Sequence, residues 1–560
     1  MTSSGPLVVL LGDGPLPDGL EQAVAARCTA ERGRLLGTLE PGGPRSLAAV
    51  VEAAGADAVV LVDARALSVA TVYGDVAADP RPDTAALRTT AGQVVALRVR
   101  AEDVDVLGEP WLAGWAAPAQ LLERTSAVLA ARGPVREITP GDFPLVLVGD
   151  DGLAAALAVV DAVDEDALRL RRASRSDDGF LSTFLVRPLS RRLTRHAVRR
   201  GLTPASITGA SLTLGLASAA AYSGGARGWL LLGSVLLLCS LVVDCVDGEV
   251  ARYTRTFSPL GGWLDVASDR IKEYAVYAGL VAGVARATGQ SLWGLALASL
   301  ALLVVRHFVD FGFAASGVGA GPATGGVAAL SESTSRMPAV MWAKRAVIMP
   351  VGERTLLLVA LVPLVGVRWT LWLLLASGLV AAAYTTAGRL GRALASRAEV
   401  PPRLSAADRL VGQCDAAPLP AGVLPVSGRF GWLTPAGCRL AEQGLVLGLV
   451  TAAAGRQLLP GAYAVLAVAA FRAYDVTYRQ RLAGATVTRD RLRPLGWPVR
   501  VVLLALLVAA VLVGAVGTGI AELLLVLLAA VWFAAALWVS ARWWRARAAG
   551  RTGHGGVSLP

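Results

Sequence analysis

Four aspartates at close, regular spacing give this sequence its chemistry. They lie in the run Asp244-Cys-Val-Asp247-Gly248-Glu-Val-Ala251-Arg252, followed after eight residues by Gly261-Gly-Trp-Leu-Asp265-Val-Ala-Ser-Asp269. Asp244 and Asp247 are three residues apart and Asp265 and Asp269 are four apart, so each pair occupies one face of its helix. The short connection makes the two helices antiparallel neighbours, and four carboxylates then converge on one point. The run sits at the end of a long apolar stretch, where bare carboxylates are costly and repel one another, so cations must hold them together. Oxygen-only ligands favour Mg²⁺ or Mn²⁺ over zinc or copper. Two such ions about 3.5 to 4 Å apart are a recurrent device for phosphoryl chemistry.

The elements that must position these acids are predominantly apolar. The 560 residues are 54% hydrophobic and only 17% charged, with a mean hydropathy of +0.56, whereas a soluble domain carries about 25% charged residues. The length alone suggests three or four folding units at roughly 150 residues each. Residues 1 to 175 read as ordinary globular sequence, while 205 to 395 and 440 to 541 hold apolar runs long enough to cross a bilayer. Six spans are expected at 205–224, 228–247, 263–286, 290–314, 354–367 and 369–391. A Pro- and Gly-rich linker, 396–437, leads to four more at 440–456, 458–474, 499–516 and 519–541. Ten spans place both termini on one side. The connections carrying Arg252, Arg255, Lys344, Arg345, Arg389, Arg392 and Arg397 are then cytoplasmic by the positive-inside rule.

The net charge of +11 is almost entirely arginine, Lys272 and Lys344 being the two lysines. Arginines cluster at the ends of apolar runs, which argues for topology and anionic headgroups rather than nucleic acid. Five cysteines with no CxxC or zinc-ligand spacing read as free thiols. The N-terminus lacks the basic and apolar regions of a signal peptide, so the front domain is expected to be cytoplasmic. Its short apolar runs, at Leu7–Leu11, 58–62, 94–99 and 144–149, alternate with helical patterns and suggest an α/β domain with a largely parallel sheet. Between it and the first span, residues 180–200 are amphipathic. Leu185, Leu189 and Leu193 fall on one side and Arg187, Arg191 and Arg195 on the other, as in a helix lying at the membrane surface, with a bend at Pro188.

The aspartate run resembles the CDP-alcohol phosphotransferase signature D-x2-D-G-x2-A-R-x8-G-x3-D-x3-D at every specified position. The resemblance covers residues 180–395 and implies a six-span fold with a site open to the cytoplasm and a homodimer. It implies that Asp244, Asp247 and Asp265 hold two metal ions, that these bind the diphosphate of a CDP-linked donor, and that Asp269 is the general base on an acceptor hydroxyl and closes the metal set. Gly248 and Ala251 leave room for the nucleotide, Arg252 offers a fork to phosphate oxygens, and Gly261 permits close approach. Leu202-Thr-Pro-Ala-Ser-Ile-Thr208 is similar to the family's entry motif T-P-N-x-x-T, with Ala205 in place of Asn. Thr203 and Thr208 are thereby nucleotide-binding candidates, although Thr203 and Pro204 also read as an ordinary helix start.

Other polar groups carry two readings. Lys272 and Glu273 either orient ligands or pair with each other; Arg306, His307 and Asp310 either contact the acceptor or form an internal ion pair. Lys344, Arg345 and Arg354 are candidates for an anionic acceptor phosphate, a sugar or inositol phosphate, and equally suit positive-inside placement. The junction at 174–182 is similar to that of bifunctional proteins joining a cytidylyltransferase to di-myo-inositol phosphate phosphate synthase. In this chain Leu11-Gly-Asp-Gly-Pro-Leu16 replaces the A-G-x-G-x-R loop of active nucleotidyltransferases, and residues 1–175 contain no lysine. The front domain therefore reads as a degenerate, non-catalytic relative, with Asp63 and Asp150 as turn aspartates or weaker metal-ligand candidates. Arg472, Tyr474, Asp475, Tyr478 and Arg479 cluster on one C-terminal span whose role the sequence leaves open. The fold expected is thus a polytopic α-helical membrane protein, a six-span core plus four C-terminal spans (438–560), behind a soluble α/β domain. Its expected activity is metal-dependent transfer of a substituted phosphate from a CDP-diacylglycerol or CDP-inositol type donor, releasing CMP. The rivals are a transporter using the acids as an ion site, which lacks visible inverted repeats, and a non-catalytic scaffold.

Overall fold

A computed structural model describes residues 6–13, 15–30, 34–39, 56, 58–77, 84–107, 117–132, 135–150, 152–174, 179–317, 338–395, 404–415, 423–454, 457–483 and 496–548. The chain folds as two units, Met1–Ser174 with Glu249–Phe257, and Arg175–Gly248 with Ser258–Pro560.

The first unit is built on a six-stranded sheet. Its strands are β1 (Leu7–Leu11), β2 (Arg34–Leu39), β3 (Ala58–Asp63), β5 (Thr84–Arg88), β6 (Val94–Arg100) and β7 (Val135–Ile138), in the order β2-β1-β3-β6-β5-β7. β1 pairs in parallel with β2 and β3, and β5 with β7, whereas β6 is antiparallel to both of its neighbours. The sheet is therefore mixed rather than largely parallel, because the five-residue turn 89–93 returns the chain directly from β5 to β6 as a hairpin instead of crossing over through a helix. The run expected at 144–149 forms β8 (Leu145–Leu147) in a separate two-stranded sheet with β4 (Ala66–Ser68). Alternating residues bury both faces of the large sheet. Val8, Leu10, Val60 and Val62 pack on the side of helices α1 (Leu20–Ala30), α2 (Ala70–Ala77) and α4 (Leu153–Asp161). Leu7, Val9, Leu11, Val59 and Leu61 pack on the side of α3 (Pro118–Arg132). Asp63 ends β3, where its carboxylate caps the Arg65 amide at 2.9 Å, and Arg65 reaches Asp150 at 3.4 Å. Burial pushes the Asp63 carboxyl up from its ordinary value. After α5 (Glu165–Ala173), the unit is completed by residues 249–257: Arg169 donates to the Tyr253 carbonyl at 2.8 Å, and Arg255 pairs with Asp75 at 3.1 Å.

The second unit is helical. A π-helical turn, Ser182–Val186, feeds α6 (Arg187–Arg199), whose first turn accommodates Pro188 without a break. Leu185, Leu189 and Leu193 are exposed as expected, together with Phe180 and Phe184, which cluster with Trp342 at ring separations of 4.8–5.8 Å. Arg187, by contrast, is buried. The core helices are α7 (Pro204–Tyr222), α8 (Arg227–Thr254), α9 (Pro259–Thr288), α10 (Trp293–Ser316), α11 (Pro338–Ile348), α12 (Val351–Val365) and α13 (Val367–Ala395). Residues 404–414, within the stretch expected as a linker, form α14, and Trp432 nearby is fully buried with its ring 5.3 Å from that of Phe313. The C-terminal helices are α15 (Thr434–Ala454), α16 (Leu459–Ala483), α17 (Trp497–Leu512) and α18 (Thr518–Ala548).

Four helices, at 227–254, 293–316, 367–394 and 518–547, are long and apolar enough to cross a membrane among the described residues. A fifth candidate is the pair 342–348 and 351–365, bent by 72°. The remaining long helices coincide with expected spans but are more polar, α7 through its serines and threonines rather than through charge. α9 alone holds Asp265, Asp269, Arg270, Lys272 and Glu273. The chain is an integral membrane protein with these apolar helices as its anchors. None of the five cysteines forms a disulfide.

Candidate active site

Helix starts set the site. Thr203 caps α7, its side chain accepting from the Ser206 amide at 3.3 Å, with Pro204 at the first helical position. Ser258 caps α9 in the same manner, accepting from the Gly261 amide at 2.9 Å, with Pro259 following. Gly261 is thereby fixed in the first turn of α9, where a Cβ would come within 2.9 Å of the Ser258 hydroxyl.

α7 and α9 pack closely through small residues. A Cβ on Gly279 would lie 2.2 Å from the Ala219 carbonyl oxygen, and one on Gly283 would lie 2.1 Å from that of Tyr222. Gly215 receives the Lys272 stem, whose Cγ lies 2.6 Å from where a Cβ would sit.

This arrangement brings Asp244 and Asp247 of α8 and Asp265 of α9 together, with one carboxylate oxygen from each within 4.8 Å of the others. The Thr208 hydroxyl donates to Asp247 Oδ2 at 2.5 Å. One turn on, the Ser211 hydroxyl lies 3.1 Å from Asp244 Oδ1 and 3.4 Å from that of Ser240. Lys272 Nζ contacts Asp244 Oδ1 at 2.5 Å, Asp269 Oδ1 at 3.1 Å and Ser211 Oγ at 2.9 Å. Asp269 is the more open of the two acids that Lys272 bridges, with 26% of its side chain exposed against 17% for Asp244. One ammonium among four carboxylates leaves surplus negative charge, and the donors converging at Asp244, Asp247 and Asp265 are all oxygen. The residues present therefore fit a hard divalent cation such as Mg²⁺ or Mn²⁺.

The other expected site residues divide. Thr208 joins the cluster, while Thr203 serves as a helix cap on the exposed end of α7. Gly248 directly follows Asp247 on α8. Ala251 and Arg252 extend the same helix, and Arg252 Nε donates to the Ala173 carbonyl within the first unit. Arg354 is buried and pairs with Glu273 at 3.0 Å; Glu273 also holds Arg270 at 2.9 Å. Glu273 thus pairs with arginines and Lys272 with the signature acids, not with each other. Lys344 and Arg345 lie on α11, where the Arg345 guanidinium stacks 5.1 Å over Trp342. Arg306 donates to the Ile348 carbonyl, and Asp310 pairs with Arg389 at 2.8 Å rather than with Arg306. Sequence reasoning passed over Ser211, although Thr208, Ser211 and Gly215, spaced three and four apart, form one small, polar helix face.

Residues 202–383 match the CDP-alcohol phosphatidyltransferase family. The chain is 36% identical over 104 residues to the bifunctional IPC transferase and DIPP synthase of Aquifex aeolicus, covering 18% of this chain and 23% of that protein. It is 43% identical over 74 residues to the archaetidylinositol phosphate synthase of Aeropyrum pernix, covering 12% and 38%. It is 31% identical over 132 residues to the phosphatidylinositol phosphate synthase of Mycobacterium marinum, covering 24% and 55%. The matched segments thus span between about a quarter and about half of these relatives. Such matches favour a transferase over an ion-conducting site. The segment that carries the converging aspartates, residues 202–383, belongs to the CDP-alcohol phosphatidyltransferase family of enzymes, which transfer substituted phosphate groups.

Proposed function

We propose that the protein transfers a substituted phosphate from a CDP-linked alcohol to the hydroxyl of an inositol-phosphate type acceptor and releases CMP. The observation that carries this reading is the convergence of Asp244, Asp247 and Asp265 within 4.8 Å inside a complete signature. The inositol assignment follows the names of the relatives, two of which are an archaetidylinositol phosphate synthase and a phosphatidylinositol phosphate synthase.

Asp244, Asp247 and Asp265 would hold Mg²⁺ or Mn²⁺, which supplies charge neutralisation to the donor diphosphate. Thr208 and Ser211 hold the Asp247 and Asp244 carboxylates in place. Asp269 accepts the proton of the acceptor hydroxyl. The hydroxyl oxygen then forms the new bond to the donor phosphorus distal to cytidine, the bond from that phosphorus to the bridging oxygen breaks, and CMP departs with the electron pair. Asp269 suits this part because it is the more open of the Lys272-bridged acids and stands outside the three-carboxylate cluster. Lys344, Arg345 and Arg354 remain the candidates for the acceptor phosphate, and the first unit is a non-catalytic nucleotidyltransferase-like domain in this reading.

The test is CMP release by the purified full-length protein with Mg²⁺ or Mn²⁺. CDP-diacylglycerol and CDP-inositol are offered as donors against glycerol and inositol phosphates. Release that requires metal and acceptor, and falls by about 10³-fold or more in Asp269→Asn while Mn²⁺ binding persists, is the expected result. Metal-independent release, or full activity in Asp269→Asn, would refute the assignment.

A further inference from the structure

The C-terminal helices have no counterpart in the matched segment 202–383, yet one of them is joined to the helix that carries Asp265 and Asp269. At 3.6 residues per turn, Asp265, Asp269 and Lys272 fall within about 60° of one another on α9, whereas Trp263, Arg270 and Tyr274 fall within about 40° on the opposite side. That opposite face meets α16. The indole N–H of Trp263 donates to Asp475 Oδ1 at 2.8 Å, Arg270 lies 5.4 Å over the Tyr474 ring, and the Tyr463 hydroxyl donates to the Tyr274 carbonyl at 2.8 Å. The outer anchors are eleven residues apart on α9 and twelve on α16, so two antiparallel helices meet in register over about three turns.

Asp475 is itself tightly held. Only 4% of it is exposed; the same Oδ1 accepts from Ser540 of α18 at 2.5 Å, and Oδ2 pairs with Arg479 at 2.6 Å. α16 is tied in turn to its neighbours by a second buried network. Asp415 contacts Arg472 at 3.2 Å and Arg500 at 2.9 Å, and Arg500 reaches Glu442 at 2.6 Å.

We infer that the C-terminal helices are a built-in buttress for the catalytic helix, and that Asp475 and Trp263 are positioning residues that fix its rotation and depth. Trp263 is two residues before Asp265, so a rotation of the first turn of α9 displaces Asp265 from Asp244 and Asp247. Partners beyond the direct ligands commonly change metal affinity 10- to 100-fold when removed. The inference rests on the proposed function for its metal readout only.

The experiment uses the full-length protein in lipid nanodiscs, with Trp263→Phe, Asp475→Ala and their combination. Mn²⁺ binding is followed by electron paramagnetic resonance without nucleotide, and amide hydrogen exchange is followed over 259–266 without metal. Trp263→Phe is expected to weaken Mn²⁺ binding about tenfold and to accelerate exchange in that segment. Asp475→Ala, which also removes the carboxylate held by Ser540 and Arg479, should accelerate exchange there at least as much, and adding Trp263→Phe to it should change nothing further. Tyr463→Phe removes one hydroxyl at the far anchor and should leave exchange at 259–266 unchanged. Wild-type exchange in Trp263→Phe, or additive effects in the double variant, would overturn the inference. If the wild-type protein binds no Mn²⁺, the metal reading fails, while the exchange data still decide the buttress.

Discussion

Thr208 has two possible employers, the nucleotide or Asp247, and one substitution separates them. Its hydroxyl is buried and donates to Asp247 Oδ2 at 2.5 Å. Thr208→Val keeps the side chain's shape and removes the donor, leaving a buried carboxylate short of a partner. A hydrogen bond to a charged group contributes about 1.5–3 kcal/mol. At about 1.4 kcal/mol per factor of ten, an Asp247 that must be properly held to bind metal should require about 10- to 150-fold more Mg²⁺ for half-maximal activity. The KM for the CDP-linked donor, measured at saturating Mg²⁺, should stay within about twofold, because no direct contact is lost on this account. Thr208→Ser keeps the hydroxyl and should restore most of the Mg²⁺ response. The assay is CMP release as a function of Mg²⁺ at fixed donor, then of donor at fixed Mg²⁺, supported by Mn²⁺ binding without nucleotide. An unchanged Mg²⁺ response with a raised donor KM would refute the reasoning and return Thr208 to the nucleotide.

Lys272→Met removes the ammonium held by Asp244, Asp269 and Ser211. Breaking a buried pair from one side costs about 3–5 kcal/mol, so the metal-free variant should melt well below wild type and gain more from saturating Mg²⁺ than wild type does; equal gains would sink the idea. Gly279→Val forces a side chain against the Ala219 carbonyl, 2.2 Å from an ideal Cβ. The α7–α9 contact should lose about 3 kcal/mol or more, read as a lower melting temperature in detergent, and wild-type melting would count against that contact. In the first unit, burial pushes the Cys28 thiol up to about 12, so a thiol reagent at pH 8 should leave Cys28 unmodified until the sheet unfolds. Rapid labelling of Cys28 in the native protein would contradict its burial against α1's neighbours.

The acids were readable from the sequence because their chemistry is local: spacings of three and four fix a helix face, and a short connection fixes the pairing of the two helices. The helix starts were readable for the same reason, since Thr203-Pro204 and Ser258-Pro259 need no distant partner. Partner choice was harder. Lys272 and Glu273 are adjacent in sequence but about 100° apart around the helix, so one faces Asp244 and the other faces Arg354. Nothing local decides which. The antiparallel β6 escaped because a buried apolar run reads alike in either strand direction. The Trp263–Asp475 bond spans 212 positions, and no periodicity in either helix announces it.

That bond also accounts for the buried pair Asp475 and Arg479 on α16. A helix that must present Asp265, Asp269 and Lys272 on one face is too polar to lie alone in lipid, and α9 is indeed outside the set of helices apolar enough to span by themselves. It needs protein on both sides. In front, α7 approaches through Gly215, Ser211 and Thr208, whose small side chains admit the Lys272 stem and leave hydroxyls for the acids. Behind, a purely apolar neighbour would strand the Trp263 N–H and leave the Arg270 guanidinium to Glu273. α16 instead offers Asp475 to the indole and the Tyr474 ring to the guanidinium. A carboxylate brought into that interior requires its own countercharge, which Arg479 supplies one turn away at 2.6 Å. Tyr474, Asp475 and Arg479 of α16 thus answer the polar groups on the back of α9, carried one layer outward.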